Sequence, residues 1–273
     1  MPPRVYHQWD QAAEVEARKS LQAPDHDSRG EAAMKIGFTA FLLLLALSPL
    51  AHAGGFNLTW GTGCWQDNPS TLRTFACDSN VGSASMTISF LVDRASYTNV
   101  VKAWADLQSD TPLLPDWWQL GSSGGCRAGS LSVSADFAGA SGGCQDLWNG
   151  MATVSILWLT AAVPGPYQPP AALNRARLKV GAGVSPGSVT LLGGVEYYAL
   201  RVTVDYAKSV GYGACSGCAT PATIVLNDVW TLNQHFTTPL ANACLRWQAD
   251  GVTPCSATPA RNSTWGQVKG LYR

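Results

Sequence analysis

Beyond residue 53 the sequence offers few groups that could do chemistry: one C-x-x-C pair, one histidine, one glutamate and ten tryptophans. Cys215-Ser216-Gly217-Cys218 has the spacing of a redox dithiol, whose first thiol is acidified when it opens a helix. Here only Ala219-Thr-Pro221 and a strand-like run follow. Ala219 also stands where haem attachment requires a histidine. A second C-x-x-C that would complete a four-thiolate zinc site is missing. The spacing therefore points to a short structural disulfide between Cys215 and Cys218. Redox activity, metal ligation and another pairing are the alternatives.

A Ser-His-Asp arrangement would have to recruit His235, and no G-x-S-x-G elbow accompanies it. A glycosidase needs two facing carboxylates. Glu196 and the aspartates could supply them, but no spacing singles out a pair. Asp67, Asn68, Asp78 and Asn80 surround one cysteine pair and match no D-x-D-x-D-G calcium loop, so turn chemistry is the expected role. These readings predict no catalytic residue, no metal and no cofactor.

Tryptophan is the positive signal. In Leu114-Pro-Asp-Trp-Trp-Gln119 two indoles are adjacent, and neighbouring side chains on a strand point to opposite faces. One of Trp117 and Trp118 is thus expected in the core. The other should form, with Asp116 and Gln119, a flat platform and polar rim for a sugar ring. Both rings buried in the core is the competing reading.

Such a platform needs a scaffold, and the sequence specifies its compartment first. Met34–Ala53 carries Lys35, an apolar run from Phe38 to Leu47, Pro49 and the small-residue triplet Ala51-His52-Ala53, which reads as a signal peptide cleaved after Ala53. The run is shorter than the roughly 20 residues a spanning helix requires, so no integral membrane segment is expected after cleavage. No lipobox cysteine follows. Residues 1–33 are expected to be an over-long extension upstream of the true start. All eight cysteines follow the signal, as expected of disulfides in a secreted, cell-surface or periplasmic protein. They fall into sequence-local pairs, Cys64–Cys77, Cys126–Cys144, Cys215–Cys218 and Cys244–Cys255, and local bridging is the expectation. From Gly54 onward 13 Lys/Arg face 12 Asp/Glu, so no basic face for nucleic acid is implied.

The elements that would position these groups read as strands. Met86–Val92, Ser130–Phe137 and Arg175–Val180 alternate apolar with polar residues, as half-buried strands do. Val154–Leu159, Val195–Tyr206 and Ile224–Leu232 are apolar on both phases and are expected at sheet centres. Val100–Gln108 fits helix or strand. Gly and Pro clusters separate the runs, and nothing has a βαβ rhythm. One all-β domain over residues 54–273 follows, a β-sandwich of jelly-roll type stapled by disulfides.

Leu114-Pro-Asp-Trp-Trp-Gln119, Gly124-Gly-Cys-Arg127, Cys144-Gln-Asp-Leu-Trp148, Cys215-Ser-Gly-Cys218 and Trp265-Gly-Gln-Val-Lys269 together resemble exported bacterial proteins of uncharacterised activity. The resemblance implies export and architecture, and a bacterial origin would make Asn57-Leu-Thr59 and Asn262-Ser-Thr264 chance sequons. The reading is a secreted or cell-surface, non-catalytic β-sandwich that binds glycan or another surface ligand. An exported hydrolase or thiol–disulfide protein is the alternative, and a structural envelope component is another.

Overall fold

Alternation of apolar and polar residues becomes sheet structure throughout. The computed structural model describes residues 54–248, apart from 68–69, 122–123, 141, 161–171 and 241. The expected signal peptide, the upstream extension and Cys255 lie outside the described residues. Fourteen strands are described: β1 (Gly55–Trp60), β2 (Leu72–Arg73), β3 (Ser83–Leu91), β4 (Ser96–Thr98), β5 (Val100–Ser109), β6 (Leu131–Ser134), β7 (Gln145–Asp146), β8 (Thr153–Thr160), β9 (Arg175–Gly183), β10 (Val189–Leu191), β11 (Glu196–Asp205), β12 (Ala222–Thr231), β13 (His235–Phe236) and β14 (Cys244–Trp247). No described helix is long and apolar enough to cross a membrane.

One sheet runs β1-β3-β11-β6, with β7 parallel to β11. The other runs β2-β14-β12-β5-β9-β8, with β13 on β12, and β4 pairs with β10 as a separate ribbon. The inward phases of both sheets share one core: Leu58, Ile88 and Phe90 from the first, Val101, Leu178 and Ile224 from the second. This is the expected all-β sandwich. Val100–Ser109 resolves as strand: it pairs with β9 and β12 on either side, and its Val101, Ala103, Ala105 and Leu107 phase faces the core. Strands β11 and β12 are interior to their sheets, as expected. Val154–Leu159 is not: β8 ends its sheet. Its second apolar phase includes Leu157, which is 51 % exposed. That phase faces solvent rather than a neighbouring layer.

The disulfides correct the local-pairing expectation. Cys64 joins Cys144, Cys77 joins Cys218 and Cys126 joins Cys215, across sequence separations of 80, 141 and 89 residues. The C-x-x-C pair therefore does not close on itself. Cys244 is also disulfide-bonded. The expected Cys244–Cys255 bridge falls on a residue outside those described. Each mapped bridge closes a long loop, worth roughly 4–5 kcal/mol on chain-entropy reasoning.

The two outer faces differ. Over the β1 side of the first sheet the outward residues Asn57, Thr59, Thr87, Ser89 and Glu196 are buried, whereas toward β6 its outward phase opens, with Ser132 exposed and Ser85, Arg201 and Thr203 half-buried. The second sheet carries its outward phase in the open, with Lys102 and Leu157 exposed and Trp104, Asp106 and Lys179 half-buried.

Candidate functional site

The Trp117/Trp118 platform is not where an exposed indole stands. Asp116–Trp118 is a 3-10 turn begun by Pro115, not a strand. Successive side chains then diverge by about 120° rather than 180°, and both indoles enter the core, at 0 % and 1 % exposure. Trp117 stacks on Trp247 at 4.9 Å and meets Trp118 edge-on at 4.8 Å. Its free face carries the fully buried Arg127 guanidinium, 3.8 Å from the ring centroid. Arg127 donates through Nε to Ala207 O (2.9 Å), through Nη1 to Trp117 O (3.0 Å), and through Nη2 to Asp205 O. Burial pulls its pKa down to about 10, with Asp205 opposing, so it remains charged at neutral pH. Asp116 and Gln119 stay at the surface, where they tie loops: Gln119 Nε2 and Ser216 Oγ donate to the Asp116 carboxylate at 2.9 and 3.1 Å. Cys126 adjoins Arg127 and Cys215 adjoins Ser216, so their disulfide ties the same loops together and this is a structural hub.

The other candidates are equally committed. Cys215 and Cys218 are buried and bonded to different partners. Glu196 accepts from Ser89 Oγ (2.5 Å) and the Trp65 amide (3.1 Å), and burial holds its carboxyl above the usual range. Its oxygen lies with the sulfurs of Cys64 and Cys144 inside 4.8 Å. Those sulfurs are joined to each other, and a metal needs thiolates, so the donor set does not fit a metal. Asp67 Oδ2 accepts from the amides of Cys64 and Gly143, and Asn80 Oδ1 from those of Ser209 and Val210. Only the Asp67–Cys64 bond is the expected turn chemistry; Gly143 and the Ser209–Val210 segment are far away in sequence, so Asp67 and Asn80 also tie distant loops together. Asp78 is exposed, and Asn68 lies outside the described residues.

The open sheet face gathers a different set. Strand pairing lays its side chains in rows: Leu157, Lys179, Trp104 and Asp228 in one, and Ser155, Gly181, Lys102, Trp230 and His235 in the next. Trp104 and Trp230 lie 6.2 Å apart between ring centroids, tilted by 39°. Trp230 is 38 % exposed and stacks on His235 at 3.5 Å. Lys179 Nζ sits 4.4 Å from the centroid of the Trp104 ring. The indole N–H of Trp230 donates to Asp228 Oδ1. Burial raises the Asp228 carboxyl, opposed by that bond, by His235 and by Arg177. Arg177 holds Asp106 in a two-point pair at 2.6 and 2.8 Å, which raises the guanidinium's own pKa.

Beside Trp104 the face dips into a groove of about 700 Å³, within the size range of small-ligand sites. Gly181 and Gly183 form its floor, and Leu157, Lys179 and Trp104 line one side. A Cβ on Gly181 would come within 3.2 Å of Ser155 Oγ, and one on Gly183 within 2.9 Å of Asn99 O. The missing side chains are what make the depression.

Neither Trp104 nor Trp230 was singled out from the sequence, yet a signal exists. Trp104 occupies the polar phase of Val100–Gln108, beside Lys102 and Asp106, where burial cannot explain a large aromatic. Comparison with known families finds no matching family model, and no curated protein matches the chain.

Proposed function

We propose that this chain is an exported, non-catalytic β-sandwich that binds glycan on the open face of its second sheet. The observation that carries this reading is the tryptophan pair Trp104 and Trp230 beside a glycine-floored groove on the open outer face of the second sheet. An indole's negative π-face attracts the polarised C–H groups of a pyranose. Lys102, Ser155 and Asn99 can donate hydrogen bonds to hydroxyls at the edge of the same surface. The disulfides support an oxidising compartment. The histidine and glutamate that could have served catalysis are spent on packing and loop closure: His235 on Trp230, Glu196 beneath the loop that holds Trp65.

The test is affinity electrophoresis of wild type, Trp104→Ala and Trp230→Ala through gels containing individual polysaccharides. Wild type should be retarded by at least one of them. Each variant should lose at least about tenfold in affinity, which is about 1.4 kcal/mol. Both should melt close to wild type, because neither ring belongs to the buried core. Retardation that persists unchanged in both variants would move the site elsewhere.

A further inference from the structure

The groove is stopped at one end by side chains and runs out to the surface at the other. Along the outward phase of β9 the residues are Arg175, Arg177, Lys179, Gly181 and Gly183, three long side chains and then two positions with none. Pairing sets Leu157 and Trp104 directly opposite Lys179, one on each side. Lys179 leans along this row, its Nζ 4.4 Å from the centroid of the Trp104 ring, so its stem lies across the line of the groove. The row behind is filled too. Leu159, Arg177 and Asp106 stand opposite one another there, and two bonds to Asp106, at 2.6 and 2.8 Å, fix Arg177. These cations are committed to neighbours within the sheet, and what they present to the groove is a wall.

On the far side of the wall β9 lacks its layer of side chains. Ser155 and Lys102 flank Gly181, and Thr153 and Val100 flank Gly183. The flanking strands β8 and β5 lie two strand spacings apart, about 10 Å, which leaves a trough one chain wide between their side chains. Four residues of β9, about 13 Å of strand, separate Lys179 from Gly183. Gly181 is buried, Gly183 half-buried and Ser185 exposed, so the floor reaches the surface at the end away from Lys179. A slot closed at one end and open at the other admits the end of a chain. A polymer laid through it by its middle would have to climb a full layer of side chains at Lys179, and its next unit would leave the glycine floor.

We infer that the groove takes the end of a glycan chain and not its interior. The terminal sugar sits over Gly181 against Leu157, Lys179 and Trp104, and the rest of the chain leaves over Gly183 toward Ser185. The inference rests on the glycan reading above and narrows it to chain termini.

The experiment counts binding sites against chain length. β-Glucan, xylan, mannan and galactan are each prepared at a longer mean length and at half that length, and titrated into the protein by calorimetry at equal mass. An end site takes one protein per chain, so halving the length should about double the protein bound per gram of any polymer that binds. Lys179→Gly carries the glycine floor through the wall while Leu157 and Trp104 keep its sides, and thermal melting verifies its fold. A chain can then run straight through, so in the folded variant the protein bound per gram should no longer depend on length. The same protein bound per gram at both lengths in wild type, a comparison that needs no variant, would overturn the end inference and leave the glycan reading standing. A doubling that survives in folded Lys179→Gly would overturn the assignment of the stop to this row. Binding of neither length of any of the polymers would overturn both readings.

Discussion

At the scale of single residues, Glu196 carries the clearest pH dependence. Its folded-state pKa lies above the ordinary value of 4.5 because burial disfavours the carboxylate. Between those two values the folded chain holds a proton that the unfolded chain has released. Stability therefore falls as pH rises through that window and levels off above the folded pKa. In Glu196→Gln that slope should disappear, since the amide keeps an acceptor for the Trp65 N–H and cannot ionise. Urea midpoints of the two proteins, measured upward from pH 4.5, should draw together or cross as pH rises and then run parallel. A constant difference throughout would show that burial does not govern this carboxyl. Glu196 was visible in the sequence only as a solitary glutamate. Its enclosure depends on a loop that returns from residues 64–67, which no local pattern announces. Trp117 and Trp118 teach the same lesson in reverse. Their identity suggested a platform, but Pro115 turns the chain into a 3-10 turn and sends both rings inward.

At the scale of elements, period-two patterning identified the strands well where one phase is buried. Arg175–Val180 is the clearest instance, with Ala176, Leu178 and Val180 inside and Arg175, Arg177 and Lys179 out. The pattern could not rank strands within a sheet. An apolar second phase, as in Val154–Leu159, is compatible with a central strand or with an edge strand that offers Leu157 to a groove, and only the pairing distinguishes them. Strands β1 and β14 went unseen because Gly55–Trp60 and Cys244–Trp247 are short and buried on both phases. The groove itself belongs to β9: Gly181 and Gly183 hold the place of two outward side chains. Gly181→Val should raise strand propensity and fill the floor, at the modest cost of moving the Ser155 hydroxyl. The variant should melt within about 1 kcal/mol of wild type, the span of strand propensities. It should nevertheless lose polysaccharide binding in the same gels. A Gly181→Val protein that folds and binds like wild type would place the ligand off the groove.

At the scale of the whole molecule, even cysteine number and composition were enough for an all-β, disulfide-bonded domain, but not for its wiring. Local pairing assumes that neighbours in sequence are neighbours in space. A sandwich violates this, since β1 lies beside β3, β3 beside β11, and the loops that meet at Cys77 and Cys218 are 141 residues apart. The resulting bridges overlap, with Cys64–Cys144 crossing both Cys77–Cys218 and Cys126–Cys215. Every peptide bond between residues 64 and 218 is therefore spanned by at least one disulfide. Tyr212, fully exposed, offers chymotrypsin a cleavage point inside this interval. Protein nicked there should run as one band on a denaturing gel without reductant and as two fragments with it. The sequence-local pairs would instead release the fragments in both lanes, since none of them spans residue 212. Across these residues the molecule is a net rather than a thread: a protease that severs one strand of it frees nothing, and only a second agent, a reductant, turns a cut into a loss.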